Sequence, residues 1–330
     1  MLGSDFLCVL ATSRLCVKIK PRQDNMNKDF RSALPQKFVE NTISLCGERG
    51  EMWLDTLPQI ISELEKQWSI KAGNHFRNLS YNYVANATLT NEKVAVLKIG
   101  LPLTDVEIYG EAAYLQAVNG KGAAKLLEFD RERQAILLER VAPGSNLRSV
   151  YKKEQSKAVT TAIRVLKKIL RPVTADTTDF VQLDAWFDGL KRAAGTKFPQ
   201  EYAERALEFY TELSTDTKNI FLLHGDLHHD NILSATREPF LVIDPKGMVG
   251  HVGYDIGVFL NNHNDWLEWD TRLAGKLDKA VAEFALAFDL DETVIRKWAF
   301  CQMVLSWWWM FDEMPGTFGE ELGLSDIWKV

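Results

Sequence analysis

Trp53, Leu57, Ile60, Ile61, Leu64 and Trp68 recur at three- and four-residue intervals, which predicts an amphipathic helix over about 51–69. The pattern then changes. Across 71–89 the β-type residues Tyr81, Tyr83 and Val84 are interleaved with Asn78, Ser80, Asn82 and Asn86, and 93–99 reads as a buried strand. Helical spacing returns over 107–118 and stops at Gly120-Lys121-Gly122, before strands expected at 125–129 and 135–141. Beyond Pro143-Gly144 helices are predicted at about 155–170, 180–193, 201–214, 256–263, 271–288 and 292–311. Only two short apolar runs interrupt them, Ile220-Phe221-Leu222-Leu223 and Phe240-Leu241-Val242-Ile243, read together as a hairpin.

The expected fold is therefore α+β, in two lobes. Residues 1–34 are expected to form a weakly ordered extension, 35–140 a helical entry and a β-rich lobe, and 141–330 a helical lobe carrying the hairpin. Val141-Ala142-Pro143-Gly144 is the natural hinge. A chain of 330 residues exceeds the size at which one core stays undivided.

Bulk properties narrow the function classes. With 46% hydrophobic and 25% charged residues this is an ordinary soluble globular composition. The net charge of −6 argues against a nucleic-acid partner; it would draw a cationic small molecule, although the same charge serves solubility. The stretch 6–17 is mildly apolar, but Arg14 interrupts it and no positive charge precedes it, so neither a signal peptide nor a membrane span is expected. Cys8, Cys16, Cys46 and Cys301 show no paired spacing, which fits a reducing cytoplasm.

The chemistry concentrates in His224-Gly225-Asp226-Leu227-His228-His229-Asp230-Asn231 and Ile243-Asp244-Pro245-Lys246-Gly247. Each apolar run delivers a polar group, so a carboxylate, an amide and a second carboxylate are expected over one cleft. A lone Asp in such a place is usually a turn former, and a lone Asn a cap; the spacing of all three makes the difference. Oxygen donors of this kind suit Mg²⁺ held against phosphates. Asn231 and Asp244 are the candidate metal ligands, and Asp226 is left to orient an attacking hydroxyl, as in the pattern D-x-x-x-x-N followed by a metal-binding Asp. His224 and His228 are four apart but lack the Glu of H-E-x-x-H, so a zinc site is not expected.

These residues, with Gly253-Tyr254-Asp255, resemble the aminoglycoside phosphotransferase family, in its streptomycin 6-kinase and hydroxyurea phosphotransferase branch, from about Pro35 to the C-terminus. The resemblance implies a protein-kinase-like bilobal fold and ATP-dependent phosphorylation of a small-molecule hydroxyl, with ATP and Mg²⁺ as cofactors. Lys98, in a run resembling the strand-borne V-A-I-K lysine, would bind the α- and β-phosphates. Glu111 is favoured over Glu107 as its partner, because Glu111-Ala-Ala-Tyr-Leu resembles the family's helix. His224 would tie the loop together from inside, and Asp255 would be a buried carboxylate receiving loop amides.

Departures from the protein-kinase pattern are equally plain. No G-x-G-x-x-G lies near 78–84, so Ser80 and Asn82 are the candidate phosphate donors, with a polar turn as the plain alternative. Pro245-Lys246-Gly247 replaces Phe-Gly after the metal Asp. Glu139 and Val141 are expected to face adenine through backbone groups. For the acceptor, His228, Asp265 and Glu268 are the candidates, with Asn261, Asn262, Asp270, Asp312, Glu313 and the tryptophans 266, 269 and 307 to 309 nearby, suiting an amine or guanidinium ligand by ion pairing and cation–π contact. The tryptophans equally read as core. The leading expectation is an aminoglycoside kinase of the streptomycin type, hence antibiotic inactivation. A metabolic kinase for choline, a sugar or homoserine is the enzymatic rival, and a catalytically inactive nucleotide-binding module the rival from another class.

Overall fold

The computed structural model describes residues 30–103, 107–152, 154–173, 176–262, 273–313 and 328. Packing begins before Pro35, where the extension was expected to end: 30–33 make a helical turn and Leu34 is buried in the small lobe's core.

The small lobe opens with α1 (Gln36–Cys46) and α2 (Glu48–Trp68), the latter ending at Ser69 in the left-handed conformation. The three- and four-residue stripe of α2 buries Trp53, Leu54, Leu57, Ile61 and Leu64. Then come β1 (Ile70–His75), β2 (Tyr83–Leu89) and β3 (Val94–Ile99), then α3 (Glu107–Val118), then β4 (Leu126–Asp130) and β5 (Ala135–Glu139). The five strands form an antiparallel sheet in the order β1-β2-β3-β5-β4. Alternation along β3 divides its side chains. Ala95, Leu97 and Ile99 join the core beneath α1 and α2, whereas Val96 and Lys98 face the other way, toward α3.

The chain crosses into β6 (Pro143–Asn146), α4 (Leu147–Tyr151), α5 (Gln155–Ile169), β7 (Arg171–Pro172), β8 (Val181–Gln182), α6 (Leu183–Leu190) and α7 (Gln200–Leu213). After these follow β9 (Ile220–Leu223), β10 (Ile232–Ala235), β11 (Phe240–Val242), β12 (Met248–His251), α8 (Gly253–Asn261), α9 (Leu273–Phe288) and α10 (Glu292–Glu313). Phe259, Phe284, Trp298 and Trp308 fill the core between the last helices. Among the described residues no helix is long and apolar enough to cross a membrane.

The expected hairpin is corrected. Its two runs never pair: β9 lies in a four-stranded sheet, β7-β9-β12-β8, and β11 in a three-stranded one, β11-β10-β6. The reason is that Ile232-Leu233-Ser234-Ala235 and Met248-Val249-Gly250-His251 are themselves strands, too short to stand out as apolar runs, and each takes a partner that the hairpin needed. β6 also carries strand structure past the hinge into a region expected to be helical.

Candidate active site

β9 ends at Leu223 and releases a loop that closes in a 3₁₀ turn, His229–Asn231, before β10. Asp255, in the first turn of α8 and fully buried, underpins this loop. Its carboxylate accepts the His224 N–H at 2.9 Å and the Gly225 N–H at 2.7 Å. Burial nonetheless pushes its pKa up to about 7, against the pull of those two donors. The buried His224 ring joins its own loop to the end of β11: Nε2 donates to the Ile243 carbonyl at 3.0 Å, and Nδ1 accepts the Asp226 N–H at 3.2 Å. Only a neutral imidazole protonated on Nε2 satisfies both, and burial depresses its pKa to about 3. With both nitrogens committed, His224 has no lone pair for zinc.

Asp226 projects from this frame. Asn231 donates its amide to the Asp226 carbonyl at 2.9 Å and to Oδ2 at 3.3 Å, which leaves the Asn231 oxygen as the uncommitted atom. Burial raises the Asp226 pKa, opposed first by His228 and then by Lys246. His228 stands 3.7 Å away, Nε2 to Oδ2, and its Nδ1 accepts the Asp230 N–H at 3.2 Å. The Ile243 N–H bonds to the Asn231 carbonyl at 3.0 Å, so Asp244 starts its turn beside Asn231. Asp244 has a left-handed backbone, φ 59°, and a half-exposed side chain.

Lys98 joins the two lobes. Its ammonium contacts Asp244 and lies 2.5 Å from Glu111 of α3. The Lys98 charge draws the pKa of the half-exposed Asp244 down to about 2, whereas burial raises Glu111 to about 7 against Lys98. Burial alone would lower Lys98, but Asp244 and Glu111 hold it above the usual lysine value. Glu107, the other candidate partner, instead holds Lys246 at 2.8 Å.

Asn231 and Asp244 offer oxygen donors of the kind a divalent cation takes, although among the described residues no group of three or more His, Cys, Asp or Glu side chains is gathered to hold a metal ion. Four carboxylates, of Asp226, Asp244, Glu111 and Glu107, stand against two ammonium groups, of Lys98 and Lys246. The second Glu111 oxygen is buried without a hydrogen-bond partner among the described residues. Surplus negative charge on hard oxygens is what Mg²⁺ or Ca²⁺ requires.

Other candidates sit at a greater remove. Asn82 accepts the Leu101 N–H at 3.4 Å beside the end of β3, and Ser80 is exposed, its carbonyl held by Asn41 at 3.1 Å; neither side chain bonds Lys98, Asp226 or Asp244. Glu139 has local partners for its N–H and its carboxylate. Its N–H is spent on the Lys125 carbonyl at 2.9 Å, because β4 lies alongside, and its carboxylate is gripped by Arg237 at 3.0 and 2.8 Å. Arg237 also donates to the carbonyls of Gly120 and Ala123 at 2.5 and 2.8 Å. Val141 packs with Ala124 and Leu241.

On the acceptor side, Asp265, Glu268, Trp266, Trp269 and Asp270 lie outside the described residues. Trp307 and Trp308 are core, edge-on to Tyr202 and Phe198, and only Trp309 is half-buried, 4.8 Å from Trp186. Asn261 serves the core through Ala299, Gln302 and Trp328, and Asp312 pairs with Arg192 at 3.1 Å.

Sequence reasoning missed a role for Lys246 and weighed Glu107 only as a partner for Lys98, not for Lys246. The signal was there in the departure Pro-Lys-Gly itself. It also missed Asp230, which accepts from Asn146 at 2.5 Å and pairs with Arg148 at 3.3 Å, tying the loop to β6 and α4. A separate hollow of about 310 Å³ between α2 and the β4–β5 turn, walled by Arg49, Trp53, Ile60 and Arg133, contains none of these site residues.

Comparison with known proteins agrees with this geometry. Residues 71–313 match the family described as aminoglycoside/hydroxyurea antibiotic resistance kinase. A streptomycin 6-kinase of Streptomyces glaucescens is 27% identical over 242 residues, 70% of this chain and 76% of that protein. A hydroxyurea phosphotransferase of Kitasatospora aureofaciens is 27% identical over 230 residues, 68% of this chain and 66% of that protein. Among solved structures, the aminoglycoside phosphotransferase APH(4)-Ia superposes with a TM-score of 0.58 at 11% identity, covering 83% of this chain and 97% of that one. An amicoumacin kinase in complex with AMP-PNP, Ca²⁺ and Ami gives 0.56 at 16% identity, covering 82% and 92%. The bilobal, protein-kinase-like fold is thus shared with phosphotransferases, and with a match across most of its length the chain belongs to the aminoglycoside/hydroxyurea antibiotic resistance kinase family, whose members move a phosphoryl group onto a hydroxyl.

Proposed function

We propose that this chain transfers the γ-phosphoryl group of ATP, with Mg²⁺, to a hydroxyl of a cationic small molecule, an aminoglycoside of the streptomycin type being the first candidate. The observation that carries the reading is the junction at which Asn231 bonds Asp226 while Asp244 bonds Lys98. Asp226 receives the acceptor O–H, holds its oxygen in line with the γ-phosphorus, and takes the proton as the new O–P bond forms and the β–γ bridge breaks. Lys98, steadied by Glu111, neutralises the α- and β-phosphates. Asn231 and Asp244 would hold Mg²⁺, which supplies charge neutralisation at the phosphates. Val141 is assigned to the adenine end and His228 to the acceptor side, while Ser80 and Asn82 stay candidates for the phosphates and Asp265 and Glu268, outside the described residues, for the acceptor. His224 and Asp255 keep the loop rigid. The names of the relatives support streptomycin, and the surplus of carboxylates supports a cationic acceptor. We place the reaction in the cytoplasm, without nucleic-acid or membrane partners.

The test is ADP release from Mg-ATP with streptomycin, hydroxyurea, choline and simple sugars, with ³¹P NMR of the product. Phosphorylation of streptomycin, abolished in Asp226→Asn, is expected. Turnover of choline or a sugar alone would move the chain to metabolic kinases. Mg-ATP binding without consumption by any acceptor would leave an inactive nucleotide-binding module.

A further inference from the structure

α3 and the loop after Asp244 meet backbone to backbone. A Cβ placed on Gly247, whose φ is 67°, would lie 2.1 Å from the Gly110 carbonyl oxygen, and one placed on Gly110 would lie 2.3 Å from the Lys246 carbonyl oxygen. Both distances are closer than carbon and oxygen can approach, so no side chain fits on either partner. Gly110 directly precedes Glu111, and Gly247 follows Asp244 by three residues. Lys246, between them, bonds its N–H to the His224 carbonyl at 2.7 Å and its ammonium to Glu107 at 2.8 Å, one helical turn before Glu111. The Gly247 carbonyl is itself held by the Val181 N–H at 3.0 Å, so the loop side of the contact is anchored to β8.

We infer that Gly110 and Gly247, with the Lys246–Glu107 pair closing the contact on its solvent side, are positioning residues that set α3 against the Asp244 loop, so that Lys98 meets Glu111 and Asp244 together. The inference rests on the phosphoryl-transfer reading for its effect on rate, but not for its effect on α3. A displacement of 1 Å at a reacting centre costs roughly a hundredfold in rate. The clash at either glycine demands a shift of that size.

The test compares Gly110→Ala and Gly247→Ala with Gly195→Ala, which carries the same left-handed strain as Gly247, φ 74°, with nothing within 4 Å of the new methyl. Gly110→Ala and Gly247→Ala are expected to lose about a hundredfold in kcat with the acceptor KM little changed. Gly195→Ala should turn over at the wild-type rate. Equal rates for all three would overturn the inference. Should the glycine variants fail to fold, Glu107→Lys and Lys246→Glu each place like charges together, and the double reversal restores the pair. Amide exchange over 107–118 should quicken in each single reversal and return in the double; unchanged exchange in the singles would overturn the clasp. That readout needs no acceptor. A wild-type protein that phosphorylates nothing would therefore sink the proposed function while the clasp is still scored.

Discussion

Asn231 and Asp226 are bonded twice, carbonyl and carboxylate both receiving the one amide nitrogen, at 2.9 and 3.3 Å. One side chain thereby aims the proposed base and would present its own oxygen to the proposed metal ion. Asn231→Ala should remove both at once: turnover is expected to fall at least about a hundredfold, and the remaining activity should need more divalent ion. A Mg²⁺ titration of rate checks this, and an unchanged half-saturating Mg²⁺ concentration would remove Asn231 from the metal site.

Asp226→Asn keeps the size and the Asn231 contact but cannot accept a proton. A rate loss of roughly 10²–10⁴ is expected with nucleotide affinity retained. Single-turnover kinetics beside calorimetric AMP-PNP titration separates the two. Loss of binding instead would assign Asp226 to the nucleotide.

Asp255→Asn places an NH₂ where two backbone donors converge, so one of the His224 and Gly225 N–H groups must lose its acceptor. A destabilisation of about 1–3 kcal/mol follows. Urea midpoints measure it; stability equal to the wild type would show that the loop is held elsewhere.

Lys98→Met strands Glu111 and Asp244 without their cation. Breaking a buried pair costs up to about 3–5 kcal/mol, less to the extent that Glu111, already raised to about 7, takes up a proton. The double variant with Glu111→Gln should regain much of the stability and none of the turnover. Thermal melts and ADP release provide the two readings.

His251 predicts a pH dependence. Burial lowers its pKa, although Asp216 lies 3.2 Å away; its Nδ1 accepts the Gly253 N–H and its ring stacks on Trp298. A histidine depressed in the folded state contributes stability that is present above its unfolded pKa of about 6.5 and lost as pH falls below it. Chemical denaturation between about pH 7.5 and about pH 5 should thus show stability falling with acid, more steeply than in His251→Gln. Parallel slopes for the two proteins would refute the assignment.

The helices and the small-lobe strands were legible because each carries an uninterrupted period: α3 runs over 107–118 as the spacing predicts, and α2 differs from the predicted 51–69 by one turn at its start. The helical lobe's sheets were not, since β10 and β12 are four residues each and a period of two needs more length to be seen. In the site, the spacing of Asp226, Asn231 and Asp244 and the type of Lys98 were enough to bring those residues to notice. What stayed hidden depends on contacts remote in sequence. Lys246 becomes significant only once Glu107 lies beside it, and the anchoring of the Glu139 carboxylate is seen only because Arg237 reaches it from the β10–β11 turn. Trp307 and Trp308 show the same limit, as an aromatic run gives no sign of which rings point inward.

Arg237 has a mechanical consequence. By seizing Gly120, Ala123 and Glu139 from the far side of the Pro143 crossing, it rivets the jaw at its pivot. Thr236 adds a bond to Ala142 at 2.9 Å, and Ala124 and Val242 are joined at 2.9 Å across the same seam. A seam so fastened ties the two lobes together at several points beside the crossing and leaves them little freedom to part there.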